Sequence, residues 1–198
     1  MSELLPRALT TLVLALSLAA GVGCSAEARA ARAEKKADQY YDQGRFREAA
    51  EAYEEAARLR PGNPIAHRNA GDAYERLGDA TRARRSWQRA VDVSEQELRV
   101  NPNDAQSLSR LAVYEAKLGR RAQASRHILD AVRLSPGDGD VAYRKAVVHA
   151  LAGEREAAVG ALAQAVARGY SAGRARVDYD LRSLGPLPEF QALVAQAR

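Results

Sequence analysis

The sequence has one cysteine, one methionine, one tryptophan and two phenylalanines among 198 residues. A single cysteine excludes an intramolecular disulfide. It also leaves the three histidines, His67, His127 and His149, without the partners and spacing that a zinc site uses. No serine stands in a nucleophile elbow, and no glycine-rich phosphate loop is present. We therefore expect no catalytic residues, no metal and no cofactor, and we predict that the protein is not an enzyme.

The charge of the chain also excludes one class of partner. Thirty basic and 25 acidic residues give a net charge of +5 at pH 7. Nearly all the basic residues are arginine, and they alternate with glutamate along most of the predicted helices, as on a solvated helix surface. Aromatic residues form no stacking platform among them. Nucleic acid is therefore not an expected partner.

A repeated pattern of glycine and small residues runs through most of the chain. Gly44, Gly78, Gly119 and Gly153 are spaced by 34, 41 and 34 residues. Small residues recur seven positions before and five and twelve after each glycine, and a large apolar residue recurs nine after it. The small ones are Ala37, Gly71, Ala112, Ala146; Ala49, Ala83, Ala124, Ala158; and Ala56, Ala90, Ala131, Ala165. The large ones are Tyr53, Trp87, Ile128 and Leu162. This spacing predicts closely packed helices in a repeat protein.

Each repeat is predicted to contain two helices. In the first repeat they span 30–43 and 46–59, and Gly44 separates them because glycine accepts the left-handed conformation of a helix C-terminus. Asn63 and Pro64 are suited to the N-cap and first position of the next helix. The same role is predicted for two later segments, Asn101-Pro102-Asn103-Asp104 and Ser135-Pro136-Gly137-Asp138.

The 41-residue spacing predicts a longer helix in the second repeat. Seven extra residues are nearly two turns at 3.6 residues per turn, so Trp87, Val91, Ser94 and Leu98 stay on one face as the helix continues to Val100. The extension either is a spacer that only lengthens the fold or, near its end at 95–99, forms a protruding surface that contacts a partner.

This order of residues resembles the tetratricopeptide repeat family, which has small–Tyr–Gly in the first helix, Ala–aromatic–Ala in the second and a closing proline. The resemblance covers residues 30–168. It implies an all-α fold, an α-solenoid of about four helix hairpins, with a C-terminal capping helix. The predicted repeats are 30–63, 64–104 with the extended second helix, 105–138 and 139–168.

The segment 169–198 resembles the cap that follows such repeats. We expect a loop over 170–177, a helical turn over 178–184, and a final helix that begins at Pro188 and has Phe190, Leu193 and Val194 on one face. Trp87 and His149 are predicted to be core residues.

Residues 1–23 resemble a bacterial lipoprotein signal peptide. Arg7 precedes an apolar run over 8–20, which is shorter than the ~20 residues that span a membrane and suits a secretory signal. Gly23 precedes the lone cysteine, Cys24. The resemblance implies that Cys24 is acylated, with fatty acids such as palmitate, and that 24–29 form a lipidated N-terminus and short tether. Ser25 after the cysteine implies sorting to the outer membrane if the source has two membranes. The alternative is an ordinary signal peptide with an incidental cysteine.

The first helices of the hairpins are expected to form a concave groove for a protein or peptide partner. The groove residues predicted from the repeat register are Tyr41, Arg68, Asp72, Arg76, Arg110, Val113, Tyr143, Arg144 and Val147. Arginine has forked donors that pair well with carboxylates, so we expect an acidic or C-terminal segment as the ligand. The alternative is that these arginines only balance nearby acids such as Asp72 and Glu75.

Some family members clamp a C-terminal carboxylate with lysine, asparagine and arginine. Asn69 and Arg110 fall on two of those positions, but Glu34, Asp38 and Gln106 occupy the others. Two acids would repel a carboxylate, so this clamp is not expected here.

The repeat fold and the signal peptide together predict a membrane-anchored adaptor in the bacterial cell envelope that faces the periplasm. Such an adaptor would hold proteins of an assembly, secretion or pilus apparatus. The alternative is a periplasmic module that binds a small ligand or glycan, or an accessory subunit of an envelope enzyme.

Overall fold

The computed structural model describes residues 25–195. These residues form helices and no strands, as the all-α prediction requires. Helix α1 covers 25–42 within the described residues. The others are α2 Phe46–Leu59, α3 Pro64–Leu77, α4 Ala80–Val100, α5 Ala105–Lys117, α6 Arg121–Leu134, α7 Gly139–Ala152, α8 Arg155–Ala167, α9 Ala172–Val177, a 3-10 helix Tyr179–Leu184, and α10 Pro188–Ala195.

The chain divides into two compact units, with the boundary between Ala83 and Arg84 inside α4. In the N-terminal unit, α2 packs against α3. In the C-terminal unit, α5 pairs with α6 and α7 with α8, and α5 and α6 both pack against α7. The 3-10 helix packs against α7 and α8. Helix pairs of this kind are the predicted repeating element.

The repeated glycines end the first helix of each hairpin, as predicted. Gly44, Gly78, Gly119 and Gly153 have φ of 73°, 82°, 78° and 82°, in the left-handed region that favours glycine. At Gly78 the chain leaves α3, and the next amide, that of Asp79, donates back to the carbonyl oxygen of Tyr74 over 2.9 Å. This bond satisfies a helix-terminal carbonyl and turns the chain into the following helix.

The predicted N-caps are confirmed. The Asn63 side chain accepts from the Ile65 amide at 3.0 Å, and Pro64 occupies the first position of α3. The Asp104 side chain accepts from the Gln106 amide at the start of α5. Asp138 has the same role at the start of α7. Each side chain satisfies an amide that has no partner within its own helix.

The repeat register predicted the core correctly. Every aligned alanine is at most 1% exposed, and the aligned Gly71 is buried as well. The large apolar residues of the pattern, Tyr53, Trp87, Ile128 and Leu162, are also buried. Small side chains at these positions let helix backbones approach closely, and the large residue fills the remaining space.

The extended helix is confirmed, since α4 runs to Val100. Trp87, Val91 and Ser94 are buried on one of its faces, and Leu98 packs against a buried cluster formed by α5, α6 and α7. The insertion lengthens the helix without turning its apolar stripe away from the core.

The prediction of a loop over 170–177 is wrong, because residues Ala172–Val177 form helix α9. The side-chain oxygen of Ser171 accepts from the Arg174 amide, and Ala172 and Ala175 are buried. Only two alanines of this six-residue helix face the core. The apolar periodicity that identifies longer helices is therefore missing from the sequence.

The remainder of the C-terminal segment follows the prediction. The helical turn at 178–184 is the 3-10 helix Tyr179–Leu184, in which Leu181 and Leu184 are buried. The final helix, α10, begins at Pro188, and Phe190 and Val194 are buried.

The predicted signal peptide, 1–23, and Cys24 lie outside the described residues. Residues 25–29, expected as a tether, are helical and belong to α1. Within 25–195 no helix combines the length and the apolar character needed to cross a membrane.

Candidate functional site

The face formed by α1 and α3 in the N-terminal unit contains the first four predicted groove residues. The Tyr41 and Phe46 rings meet edge to face, with centroids 5.3 Å apart. The Arg76 guanidinium lies 4.5 Å from the centroid of the same Phe46 ring. Burial raises the pKa of Tyr41, nearby Asp72 raises it further, and Arg76 opposes both. The structure thus brings Tyr41, Asp72 and Arg76 together.

Arg68 on this face is paired with an acid. Its Nε atom lies 2.6 Å from Asp72 Oδ2, four residues further along α3. The alternative that the groove arginines balance nearby acids therefore holds for Arg68, which pairs with Asp72. This pairing reduces the positive charge that the face formed by α1 and α3 offers to a ligand.

Two acids on α1 are also used within the N-terminal unit. The Tyr53 hydroxyl donates to Asp38 Oδ1 over 2.6 Å, and Asn63 Nδ2 donates to Glu34 Oε1 over 2.8 Å. Burial and the bond to Asp38 raise the pKa of Tyr53, so its hydroxyl stays a donor. These acids stand where a carboxylate clamp would need basic or amide groups, and they tie α1 to α2 and α3 instead.

The face formed by α5 and α7 in the C-terminal unit brings Arg110 and Arg144 together. Arg110 Nη2 donates to Ser107 Oγ over 2.7 Å and lies 3.7 Å from Glu97 Oε2. Arg144 Nη1 donates to Gln106 Oε1 over 2.6 Å and to Ser109 Oγ over 3.2 Å. Arg110 is therefore held by Ser107 of α5 and Glu97 of α4, and Arg144 by Gln106 and Ser109 of α5.

Gln106 connects the two helices. Its amide nitrogen donates to Asp138 Oδ2 over 2.6 Å, while its amide oxygen accepts from Arg144. Asp138 also accepts from the Asp140 amide with its other oxygen, so one residue both caps α7 and orients Gln106. The resulting network fixes the position of the Arg144 guanidinium.

The charge of Arg144 is held in an unfavourable environment. Burial lowers the pKa of Arg144, and nearby Arg110 lowers it further, whereas Asp140 and Asp138 oppose the shift. Arg144 donates its two hydrogen bonds to neutral oxygens, those of the Gln106 and Ser109 side chains. A carboxylate that approached Arg110 and Arg144 would form charge-assisted hydrogen bonds, which are stronger than neutral ones.

Comparison with known proteins agrees with this architecture. Residues 34–97 match the model of the tetratricopeptide repeat family. The crystal structure of TTC0263, a thermophilic tetratricopeptide repeat protein of Thermus thermophilus, has a TM-score of 0.54 and 23% identity, over 85% of this chain and 89% of that one. The fold is that of a tetratricopeptide repeat protein. The predicted fold class, an α-solenoid of repeated helix hairpins, is confirmed.

Two further similar structures have lower TM-scores. The first tetratricopeptide repeat domain of Spaghetti (RPAP3), solved with the HSP90 peptide SRMEEVD, is 22% identical over 69% of this chain and 95% of that one, with a TM-score of 0.43. MamA of Desulfovibrio magneticus RS-1 is 19% identical over 84% and 94%, with a TM-score of 0.41.

Three predicted groove residues of the third and fourth helix hairpins contribute to packing. Val113 and Val147 are 6% and 2% exposed. The Tyr143 hydroxyl hydrogen-bonds Asp178, and its ring stacks on Tyr170 with centroids 3.9 Å apart. The segment after Gly169 therefore covers Tyr143, and burial raises the pKa of this tyrosine. Of the predicted residues in this unit, Arg110 and Arg144 are the ones whose charged groups lie together on the face formed by α5 and α7.

Sequence reasoning missed the residues that hold the two arginines. Ser107 and Gln106 precede Arg110 by three and four positions, which places them on its face of α5. Ser109 and Gln106 contact Arg144 on another helix, and nothing in a single sequence identifies that contact.

Two of the three histidines, His127 and His149, pair with carboxylates. His149 Nδ1 lies 2.6 Å from Glu154 Oε2, and its side chain is partly exposed. The prediction of a core histidine is therefore wrong, because Glu154 at the turn into α8 reaches it. His127 Nδ1 lies 2.8 Å from Glu115 Oε2. In the part of the chain that the structure describes, no group of three His, Cys, Asp or Glu side chains could hold a metal ion.

Proposed function

We propose that this protein is an adaptor that binds an acidic segment of a partner protein on the face formed by α5 and α7. The observation that carries the proposal is the arrangement of Arg110 and Arg144. Both guanidinium groups are oriented by side chains of α5, and burial penalises the charge of Arg144. A carboxylate ligand would relieve that penalty, whereas a neutral or basic ligand would not.

The chemistry of arginine suits this role better than that of lysine would. A guanidinium presents several N–H donors in one plane, so it can keep its bonds to Ser107 or Gln106 and still donate to a ligand. The network through Asp138 fixes Arg144 before any ligand arrives. Binding therefore requires little additional ordering of these side chains.

We propose further that an acyl group on Cys24 holds the adaptor at a membrane of the bacterial envelope, the outer membrane where the source has two. The support is the apolar run over 8–20, followed by Gly23 and the lone cysteine. Residue 25, the first that the structure describes, is already helical, so an acylated Cys24 would keep α1 at the membrane surface. Four basic residues of α1, Arg29, Arg32, Lys35 and Lys36, are exposed and suit anionic head groups.

Partner recovery from cross-linked cells tests the adaptor function. The double variant Arg110→Glu/Arg144→Glu should lose most of the protein that co-purifies with the wild type. The control Arg85→Glu/Arg126→Glu makes the same charge change at exposed positions of α4 and α6, and it should retain the partner. Circular dichroism and thermal melting of both variants show whether they are folded. Loss of the partner in the control alone would overturn the proposed site.

A further inference from the structure

A second candidate site lies in the C-terminal unit, between α6 and the end of α7. It is a cleft of about 150 Å³. Its apolar walls include Ala124 and Ile128 of α6 and Val148 and Ala152 of α7. None of its lining residues belongs to the arginine face of α5 and α7, so it is independent of the proposed function.

The size and lining of the cleft restrict what can occupy it. An apolar cavity of about 150 Å³ accepts a molecule the size of benzene. One phenylalanine or leucine side chain therefore matches the space, whereas a long acyl chain exceeds it. Leu129, which also lines the cleft, is 56% exposed and extends the apolar surface beyond the opening. An occupant attached to a polypeptide would cover Leu129 as well as fill the cleft.

The polar groups of the cleft indicate the charge of the occupant. Arg121, at the start of α6, is exposed on the wall formed by the third hairpin. On the wall formed by the fourth hairpin, Glu154 Oε2 lies 2.6 Å from His149 Nδ1, so this carboxylate already has a partner within its own hairpin. The Arg121 guanidinium on the other wall favours a carboxylate beside the apolar group.

We infer that this cleft anchors one large apolar side chain, phenylalanine or leucine, of a partner protein segment that carries an adjacent carboxylate. The apolar group fills the space between α6 and α7, and the carboxylate pairs with Arg121. A single buried anchor surrounded by weaker contacts is a common arrangement in protein interfaces.

The test uses defined peptides and ¹⁵N-labelled full-length protein made by cell-free synthesis, which leaves Cys24 unacylated. The probe is Ac-Ser-Phe-Glu-Ser-NH₂. The comparison peptides have Ala in place of Phe, or Lys in place of Glu. With the probe, the amides of Ile128, Leu129 and Val148 should shift and saturate. The alanine peptide should bind about tenfold more weakly or worse, since most of the apolar contact is lost.

Two variant pairs locate the site. Ala152→Leu places a larger side chain in the cleft and should remove these shifts, whereas Ala122→Leu, at an exposed position of α6 outside the cleft, should not. Arg121→Glu should reverse the preference between the glutamate and lysine peptides, and Arg126→Glu should leave it unchanged. The amide spectrum of each variant without peptide shows that the helices are intact.

Three outcomes would overturn the inference. One is that Ala152→Leu binds the probe as tightly as the wild type does. Another is a shift of the same amides with protein concentration alone, which would make a second copy of this chain the occupant. The last is saturation of the cleft by dodecanoate with no effect of the phenylalanine peptide, which would make it a lipid site.

Discussion

Lys117 Nζ lies 2.5 Å from Asp180 Oδ1, and both side chains are almost completely buried, at 2% and 3% exposure. Lys117 is the last residue of α5, and Asp180 belongs to the 3-10 helix of the C-terminal segment. The ammonium group also lies 5.1 Å from the Trp87 ring centroid. This ion pair joins the third hairpin to the cap across 63 residues of sequence.

Removal of one member of this pair should destabilise the C-terminal unit strongly. Asp180→Leu leaves the Lys117 charge buried without its carboxylate, a change that typically costs about 3–5 kcal/mol. Urea denaturation followed by circular dichroism measures the loss. The double variant Lys117→Met/Asp180→Leu removes both charges and should recover much of the stability. A double variant less stable than Asp180→Leu alone would contradict this account of the pair.

Close helix packing at the aligned alanines predicts a difference between two positions of α6. Ala131→Leu forces a larger side chain into a site that is 0% exposed, and such overpacking typically costs about 1–3 kcal/mol. Ala122→Leu is the matched control, because Ala122 is exposed on the same helix. Equal melting temperatures for the two variants would mean that the repeat register is wrong. Ser171 is unsuitable as a control since it caps α9.

Asp104 predicts a pH dependence of stability. The hydrogen bond from Ser107 and the amides at the start of α5 hold the pKa of Asp104 below its usual value, against the effect of burial. The carboxyl group of an unfolded aspartate titrates at about pH 3.9. The ionised form therefore stabilises the fold at neutral pH, and this contribution is lost as the pH falls below about 4.

The variant Asp104→Asn separates the charge from the cap. Asparagine is as good an N-cap as aspartate, so the helix start is retained. The free energy of unfolding of the wild type should exceed that of Asp104→Asn at pH 7, and the difference should shrink at pH 3. A difference that stays constant over this range would show that the ionisation of Asp104 does not contribute.

The proposed anchor has a direct chemical test. Cys24→Ser removes the sulfur that would carry the acyl group, so labelling of the protein by radioactive palmitate should disappear. Unprocessed precursor, or protein cleaved elsewhere, should accumulate on gels. Continued labelling of the variant would contradict acylation at Cys24, and unlabelled wild-type protein would exclude the lipoprotein altogether.

The repeated features of the fold could be predicted from sequence because each has a local cause. Glycine at Gly78 ends a helix, Asn63 caps one, and an alanine such as Ala124 marks a close crossing. These residues act within a few positions of the chain or recur in every repeat. Four copies in one register make the pattern distinguishable from background composition.

The features that sequence reasoning missed depend on contacts between distant segments. The repeat register predicts that Tyr143 lies in the groove, but Asp178 and Tyr170 of the C-terminal segment cover it. Gln106 occupies a clamp position of the family without being the residue that the clamp uses, yet it orients Arg144 from another helix. Helix α9 is too short for an apolar period to identify it. A single sequence contains no local signal for any of these relationships.

Titration with a defined peptide tests whether Arg110 and Arg144 bind an acidic segment. The probe is Ac-(Ser-Glu)₅-NH₂, with Ac-(Ser-Gln)₅-NH₂ as the uncharged control, and amide shifts of ¹⁵N-labelled protein report the site. We expect saturable shifts around Arg110 and Arg144 with the acidic peptide, weakened by added salt and absent in Arg110→Glu/Arg144→Glu. Shifts confined to other helices, or equal binding of the uncharged peptide, would show that the two arginines are not the binding site.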